Sequence, residues 1–366
     1  MSKHTYLLLK IKYLLLGATI LLSTAASVQA QEYKWRIATF DGETGAYWNN
    51  FLVPFVDNVE KLTNGRMVLE PIPGGTLGSI FKIYEQVDDG LVEMAMMPPT
   101  FLGTEDMTNA TILAFPTGLG VDSLLPWIYE GGGQDILKAH RAERMDMHAF
   151  VLGVGPTEIF AHSRKSIKET SDLAGLKYRT LGNWAAIVQE FFDGAPTTVP
   201  GAEIYGMLEK GGLDLTEYST PSENMKRGYH EVADYIIYPG VHANAWGFEG
   251  VVKIDKWNEL PADIQQSIEV AAQLATYTGF NKFIIDDLNA MQKLQQGDNT
   301  FVRLSDDFIA ETRAAARTWA LREAGKAEAD GNPYPMQIYN SVTEFQDLWI
   351  ENSKYMGMDY RPKQKT

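Results

Sequence analysis

The stretch YKWRIATF (residues 33–40) alternates apolar and polar side chains and is rich in β-formers, so it predicts a strand. A helix-like stretch covers residues 47–65 and ends in Asn-Gly, a common helix stop. Residues 66–78 predict a second strand, residues 79–90 a second helix, and residues 91–101 a third strand that ends at two prolines. This βαβαβ order favours an α/β fold with an open parallel sheet covered by helices.

The remainder of the chain continues to alternate strands and helices. Residues 148–163 predict two strands around a Gly-Pro junction, and GLKYRTLGN (175–183) predicts a short strand that breaks at a glycine. A helix at 201–214 leads into the strand LTEYSTP (215–221), and most of 257–296 predicts one long helix. With 366 residues, the chain exceeds the usual size of one compact core, so we expect two lobes.

The first 30 residues have the layout of a secretory signal peptide. A basic start precedes an apolar run from Tyr13 to Leu22, and Val28-Gln29-Ala30 offers small residues for cleavage. The run is short for a membrane span, and an uncleaved anchor is the alternative. An exported chain without cysteine has no disulfides, and these features together predict a bacterial periplasm.

The charge balance limits the classes of partner. The formal net charge is −15, and removal of the signal peptide makes it more negative, because that segment carries lysines and no acidic residue. Such a chain repels phosphate backbones and anionic lipid heads, which argues against nucleic-acid or membrane-surface partners. A cationic spot for an anionic ligand must therefore be built locally.

Ligands of open α/β sheets bind beyond the carboxyl ends of the strands. Arg179 stands at such an end, where it is either a solvated edge charge or a guanidinium aimed at an anion. The other residues that follow predicted strands are Phe40, Asp41, Gly74, Gly75, Pro98 to Phe101, Glu158, Thr180 to Asn183, Glu217, Tyr218 and Val241 to Asn244.

Four segments carry a more specific pattern: PIPGGTLG (71–78), DLAGLKYRTLGNW (172–184), GAEIYGMLEKGGLDLTEYSTP (201–221) and DYIIYPG (234–240). They resemble the periplasmic binding subunits of tripartite ATP-independent (TRAP) transporters, and most closely the branch that binds 2-keto acids such as pyruvate. The resemblance runs from about residue 34 to the C-terminal tail, and the block 173–240 is its most specific part.

The resemblance implies a two-lobed periplasmic binding protein fold, with a ligand cleft between the lobes and a long connecting helix. Lobe I would comprise residues 31–150 plus about 241–275, and lobe II residues 151–240 plus about 276–333. The tail 334–366 carries an amphipathic helix. Because relatives in this branch exchange such a helix, a homodimer is expected, and the alternative is that the helix folds back on its own lobe.

The resemblance also assigns roles to single residues. Arg179 would pair with the ligand carboxylate, which a guanidinium fits with two parallel N–H donors and a charge that does not titrate away. Glu217 would bind a cation that bridges to the ligand, and Tyr218 would lend its backbone carbonyl. An ion pair between Glu217 and Arg179 is the second interpretation, and the two are compatible.

The sequence departs from the family pattern at Glu158, where the keto-acid branch tends to carry a glutamine cation ligand. If Glu158, Glu217 and a substrate carboxylate converge on one cation, three negative charges meet. A divalent hard cation suits that cluster, so Ca²⁺ is expected, with Na⁺ as the alternative.

A second departure is VHANAW (241–246), which follows the YPG of the fourth segment. A usual ligand position falls on Ala243, so Asn244 or a water would substitute. His242 is expected to wall the ligand rather than bind metal, because the other candidate donors are oxygens. The Phe101 and Tyr218 rings are expected to wall the ligand. Glu158 and Asn183 complete the expected substrate contacts.

The predicted function is capture of a small 2-keto or 2-hydroxy monocarboxylate, with pyruvate as the first candidate, for delivery to TRAP membrane permease subunits. One alternative is a metal-dependent periplasmic hydrolase with Glu158 or Glu217 as general base. Against it, the sequence has no HExxH, GxSxG or cysteine nucleophile, and its six histidines show no metal-site spacing. A binding protein for another organic anion, or one that serves a receptor, also stays open.

Overall fold

The structure is a computed structural model that describes residues 31–103 and 105–356. The predicted signal peptide (1–30) and the last ten residues of the tail lie outside the described residues. In the described part of the chain, no helix combines the length and the apolarity that a membrane crossing requires.

The strands form two sheets. In the described ranges they are, in chain order, β1 (Tyr33–Thr39), β2 (Met67–Ile72), β3 (Met94–Met97), β4 (Met147–Gly155), β5 (Ala161–Ser163), β6 (Lys177–Arg179), β7 (Ala195–Thr197), β8 (Leu215–Thr216), β9 (Tyr235–Tyr238), β10 (Trp246–Lys253) and β11 (Thr300–Arg303). The first sheet has the order β2-β1-β3-β10-β4, and the second has the order β11-β9-β5-β8-β6-β7. We call the elements that pack on each sheet its lobe.

Both sheets are mixed rather than parallel. β1 is parallel to β2 and β3, as the βαβαβ pattern predicts, but β10 is antiparallel to β3 and β4. In the second sheet, β5 is antiparallel to β8 and β9. The chain leaves the first sheet after β4 for β5 and returns from β9 beside β4 as β10. A parallel neighbour would need a crossover helix to bring the chain back to the other end of the sheet, and the described residues between β9 and β10 contain none. β10 therefore runs antiparallel to β4, and β5 is antiparallel to β9 for the same reason.

These two linking segments, residues 156–160 and 239–245, run side by side. The Glu158 amide donates to the Ala243 carbonyl oxygen at 3.1 Å, and the Thr157 hydroxyl donates to the Asn244 carbonyl oxygen at 2.7 Å. A Cβ on Gly240 would lie 2.2 Å from the Glu158 carbonyl oxygen, so this close approach requires glycine. Side chains on the two segments are therefore brought together between the sheets.

Helices cover both sheets. In the described ranges they are α1 (Val53–Leu62), α2 (Ile83–Asp88), α3 (Met107–Thr111), α4 (Leu124–Glu130), α5 (Gly133–Met145), α6 (Gly182–Phe192), α7 (Gly201–Glu209), α8 (Pro221–Lys226), α9 (Ile254–Asn258), α10 (Ala262–Leu294), α11 (Asp306–Ala329) and α12 (Tyr334–Asn352). A π-helical turn, Trp48–Leu52, leads into α1.

The long helix α10 packs on both lobes. Near its start, Ile264 and Ile268 lie in the apolar core of the first sheet, and at its end Leu294 packs with Ile159 and Ile236. This is the connecting helix predicted for residues 257–296. The lobe boundaries given from the sequence stay a prediction.

The C-terminal helix α12 packs on its own chain. Ile338 and Val342 are buried in the core of the first lobe, and Gln346 Nε2 donates to the Thr117 and Gly118 carbonyl oxygens. Leu348, on the same helix, is 59 % exposed. The helix therefore folds back in this structure and still presents an apolar side chain to solvent.

Candidate functional site

Arg179 and Glu217 meet at the carboxyl ends of two parallel strands. β6 ends at Arg179, whose register partner on β8 is Thr216, so Glu217 follows directly beside it. Arg179 is 4 % exposed, and its Nη1 donates to the Glu217 carbonyl oxygen at 2.8 Å and to Glu217 Oε1 at 3.2 Å. The guanidinium is thus a buried charge held in place by Glu217.

The linking segments add Glu158 and His242 to this pair. His242 Nε2 lies 3.2 Å from Glu158 Oε2 and 4.0 Å from Glu217 Oε2. One donor atom from each of the three side chains lies within 4.8 Å of the others, an arrangement that could hold a metal ion. The structure therefore gathers Arg179, Glu217, Glu158 and His242 at the junction of the two lobes.

Burial sets the protonation of this cluster. It raises the pKa of Glu158 to about 8, against the opposing effect of Arg179, and it raises the pKa of Glu217, again opposed by Arg179. Burial lowers the pKa of His242 to about 4, so its imidazole is neutral at pH 7. A bound cation would favour both carboxylates in their charged form, so the donors fit a metal ion.

Two arginines lie over the Tyr218 ring. The ring centroid is 5.5 Å from Arg179 Cζ and 4.2 Å from Arg227 Cζ, both within cation–π range. A Cβ on Gly201, at the start of α7, would lie 2.8 Å from the Tyr218 ring. The ring is thus positioned beside the predicted carboxylate-binding guanidinium.

Three other predicted residues make different contacts. Asn183 Nδ2 donates to the Ala110 carbonyl oxygen across the lobes at 2.7 Å, and Asn244 Nδ2 donates to the Gly118 carbonyl oxygen at 3.0 Å. The Phe101 ring packs edge-on against Phe40, with centroids 5.8 Å apart. Their roles in binding stay predictions.

Tyr47 and Asp287 also lie near Glu158, although the sequence does not single them out. The Tyr47 hydroxyl is 2.9 Å from Ser219 Oγ, a contact between lobes that joins positions 172 residues apart and has no local sequence signal. Asp287 is 7 % exposed on the inner face of α10; its Oδ1 accepts from the Ser222 amide at 2.9 Å. An acidic residue at a helical position otherwise filled by apolar side chains is the signal that could have found it.

Comparisons with known proteins identify the class. The model of the bacterial extracellular solute-binding proteins, family 7 (DctP), matches residues 42–324. The chain belongs to this family of extracytoplasmic TRAP solute-binding proteins, and it is a transport protein rather than an enzyme. The predicted family and the predicted two-lobed α/β fold are confirmed, and the hydrolase alternative is set aside.

One curated relative is a monocarboxylate 2-oxoacid-binding periplasmic protein from Nostoc sp. It is 26 % identical over 296 residues, which cover 78 % of this chain and 79 % of the relative. This relative and the present chain align over most of both lengths.

Two similar solved structures are TRAP solute-binding proteins. The one from Colwellia psychrerythraea has bound calcium and pyruvate, with a TM-score of 0.81, 21 % identity and coverage of 90 % of this chain and 99 % of that chain. The one from Pseudoalteromonas atlantica has bound sodium and pyruvate, with a TM-score of 0.80, 22 % identity and coverage of 90 % and 98 %. At these identities the likeness shows the fold.

Proposed function

We propose that the protein captures a small 2-oxo or 2-hydroxy monocarboxylate, with pyruvate as the first candidate, through Arg179 and a bridging divalent cation. The observation that supports this most strongly is the buried guanidinium of Arg179 beside a cluster of metal-donor atoms. The guanidinium pairs with the ligand carboxylate, and the cation binds the ligand through one carboxylate oxygen and the adjacent oxo or hydroxyl oxygen.

Calcium is the proposed cation, held by Glu158, Glu217 and the backbone carbonyl of Tyr218, with Asn244 or a water at a remaining position. Two carboxylates and an anionic ligand bring three negative charges together, which a divalent ion offsets better than a monovalent one. Relatives of this fold bind pyruvate with calcium or with sodium, so Na⁺ is the competing ion.

The cellular setting is part of the proposal. We propose that residues 1–30 are removed as a signal peptide and that the mature chain works in the periplasm, where it delivers its ligand to TRAP membrane permease subunits. A homodimer is also proposed, and the exposed Leu348 on α12 offers apolar surface for it. Light scattering at micromolar concentration tests the dimer, and a monomer mass at every concentration would reject it.

Thermal unfolding with a panel of small carboxylates, each with and without Ca²⁺, tests the proposed ligand class. We expect pyruvate or a close 2-oxo acid with Ca²⁺ to raise the melting temperature most, since a ligand that binds only the folded state stabilises it. Acetate, which lacks the second chelating oxygen, is the matched control. An equal shift for acetate and pyruvate would contradict chelation by a bridging cation.

A further inference from the structure

His242 adds a nitrogen donor to a cation site that was expected to contain oxygen donors alone. Its Nε2 is 3.2 Å from Glu158 Oε2 and 4.0 Å from Glu217 Oε2. Two donors that bind one ion at about 2.1 Å each lie about 3 to 4 Å apart, depending on the angle between them. The separations of this nitrogen from both carboxylates fall in that range.

The imidazole is held in place by aromatic walls. The ring centroid of His242 lies 5.6 Å from that of Phe160, edge-on, and 6.1 Å from that of Trp184. Its side chain is 5 % exposed, and among the described residues its buried Nδ1 has no hydrogen-bond partner. The protein therefore fixes the position of the ring and directs Nε2, rather than Nδ1, towards the two carboxylates.

The carboxylates are oriented as well. Arg179 Nη1 donates to Glu217 Oε1, while Glu217 Oε2 is the oxygen nearer His242. Glu158 is fixed through its backbone amide, which donates to the Ala243 carbonyl oxygen on the neighbouring linking segment. Donor atoms from three separate segments thus lie within 4.8 Å of one another, while the contact from Arg179 goes to Glu217 Oε1 and leaves Oε2 facing His242.

The donor chemistry distinguishes classes of cation. Ca²⁺ takes oxygen ligands, whereas an imidazole nitrogen suits first-row transition metals such as Co²⁺, Ni²⁺ and Zn²⁺. We propose that His242 makes this a mixed nitrogen–oxygen site that binds first-row transition-metal dications more tightly than Ca²⁺. Calcium then serves where such ions are scarce, and the oxo acid enters as a chelate of whichever ion is bound. Only the statement about the oxo acid rests on the proposed function.

The test uses the full mature chain stripped with a chelator, with no organic acid present. Co²⁺ and Ca²⁺ are titrated separately and in competition, and the Co²⁺ protein is examined by proton NMR for a strongly shifted, exchangeable imidazole N–H resonance. We expect Co²⁺ to bind at least about tenfold more tightly than Ca²⁺. His242→Gln should lose the shifted resonance and weaken Co²⁺ about tenfold or more, and it should weaken Ca²⁺, which prefers oxygen donors, far less.

The matched control is His148→Gln. His148 Nε2 also lies near a glutamate, 3.1 Å from Glu269 Oε1, but one carboxylate alone faces it among the described residues. This variant should leave both affinities unchanged. If the glutamine variant folds poorly, His242→Phe replaces it, because phenylalanine keeps the aromatic packing against Phe160. The shifted resonance of the wild-type protein shows imidazole binding to Co²⁺ without any variant.

Two results would overturn the inference: Ca²⁺ binding as tightly as Co²⁺ to the wild-type protein, or a Co²⁺ preference that survives both His242 substitutions. The proposed function is tested separately by adding pyruvate. If pyruvate binds with Ca²⁺ and the protein shows no preference for Co²⁺, the proposed function stands and the inference is rejected. If the protein prefers Co²⁺ but does not bind pyruvate with any cation, the inference stands and the proposed function is rejected.

Discussion

Replacement of Arg179 by Met tests the anion-binding role of the buried guanidinium. Arg179 is 4 % exposed, so a carboxylate bound to it is removed from water together with it. Truncating one partner of such a buried charge pair costs about 2 to 5 kcal/mol, much of it from leaving the other charge unpaired. Pyruvate affinity should therefore fall by about 30-fold to several thousand-fold.

The same substitution also has a consequence for the unliganded protein. Arg179 Nη1 lies 3.2 Å from Glu217 Oε1, and the two side chains are 5 % and 8 % exposed. Removing the guanidinium leaves the buried carboxylate of Glu217 without its partner, which lowers the free energy of unfolding by about 3 to 5 kcal/mol. Urea unfolding of the ligand-free variant measures this loss independently of binding.

Isothermal calorimetry with pyruvate and Ca²⁺ is the assay, on protein whose circular dichroism shows the wild-type fold. Arg179→Lys keeps the charge but loses the fork of donors, and it should recover only part of the affinity. Arg227→Met is the matched control, because Arg227 also lies over the Tyr218 ring but is exposed. Wild-type affinity in Arg179→Met would refute the carboxylate clamp, and an equal loss in Arg227→Met would refute its specificity.

Three further outcomes follow from single contacts. Glu158→Gln should weaken Ca²⁺ and shift the preference towards Na⁺, because one negative charge leaves the cluster; titration of both ions in the presence of pyruvate measures the shift, and an unchanged preference contradicts it. Tyr47→Phe removes the hydroxyl contact with Ser219 across the lobes and should weaken pyruvate about 2- to 12-fold, mainly through faster dissociation in stopped flow; an unchanged dissociation rate would show that the contact does not hold the cleft closed. Burial lowers the pKa of His162 from 6.5 to about 3 in the folded protein. As the pH falls below 6.5, the imidazole takes up a proton in the unfolded chain before it does so in the folded one. The free energy of unfolding is therefore highest above pH 6.5 and decreases as the pH falls towards 3. Between pH 7 and pH 4 this amounts to about 3 kcal/mol, and urea midpoints of His162→Phe should fall less than those of the wild type across that interval.

Much of the cleft is predictable because of where strands end. Arg179 and Glu217 follow parallel neighbouring strands, and the carboxyl ends of such strands meet at one edge whatever the detailed packing. Glu158 is identifiable as well, because it stands where the resembling family tends to carry a glutamine. These predictions depend on strand direction and local motifs, both of which can be read from a single sequence.

The linking segments were not predictable in the same way. His242 joins the metal-donor cluster because residues 156–160 and 239–245 run side by side, which depends on the close approach at Gly240. The antiparallel entry of β10 has the same origin, since it follows from the path between the sheets rather than from the periodicity of residues 246–253. Asn244 lies on the same segment, but its side-chain amide donates to the Gly118 carbonyl oxygen. Only the path of the backbone decides which of these neighbours faces the cleft.

Calorimetry of pyruvate into chelator-stripped protein, repeated with Ca²⁺ and with Na⁺ alone, tests the central claim most directly. A bridging cation couples the two ligands reciprocally, by about 1 to 3 kcal/mol. Pyruvate should therefore bind about 5- to 150-fold more tightly with Ca²⁺ than to the stripped protein, and more tightly with Ca²⁺ than with Na⁺. Equal affinity under all three conditions would mean that no metal bridges the ligand, and Glu158 would then be an ordinary polar partner of His242.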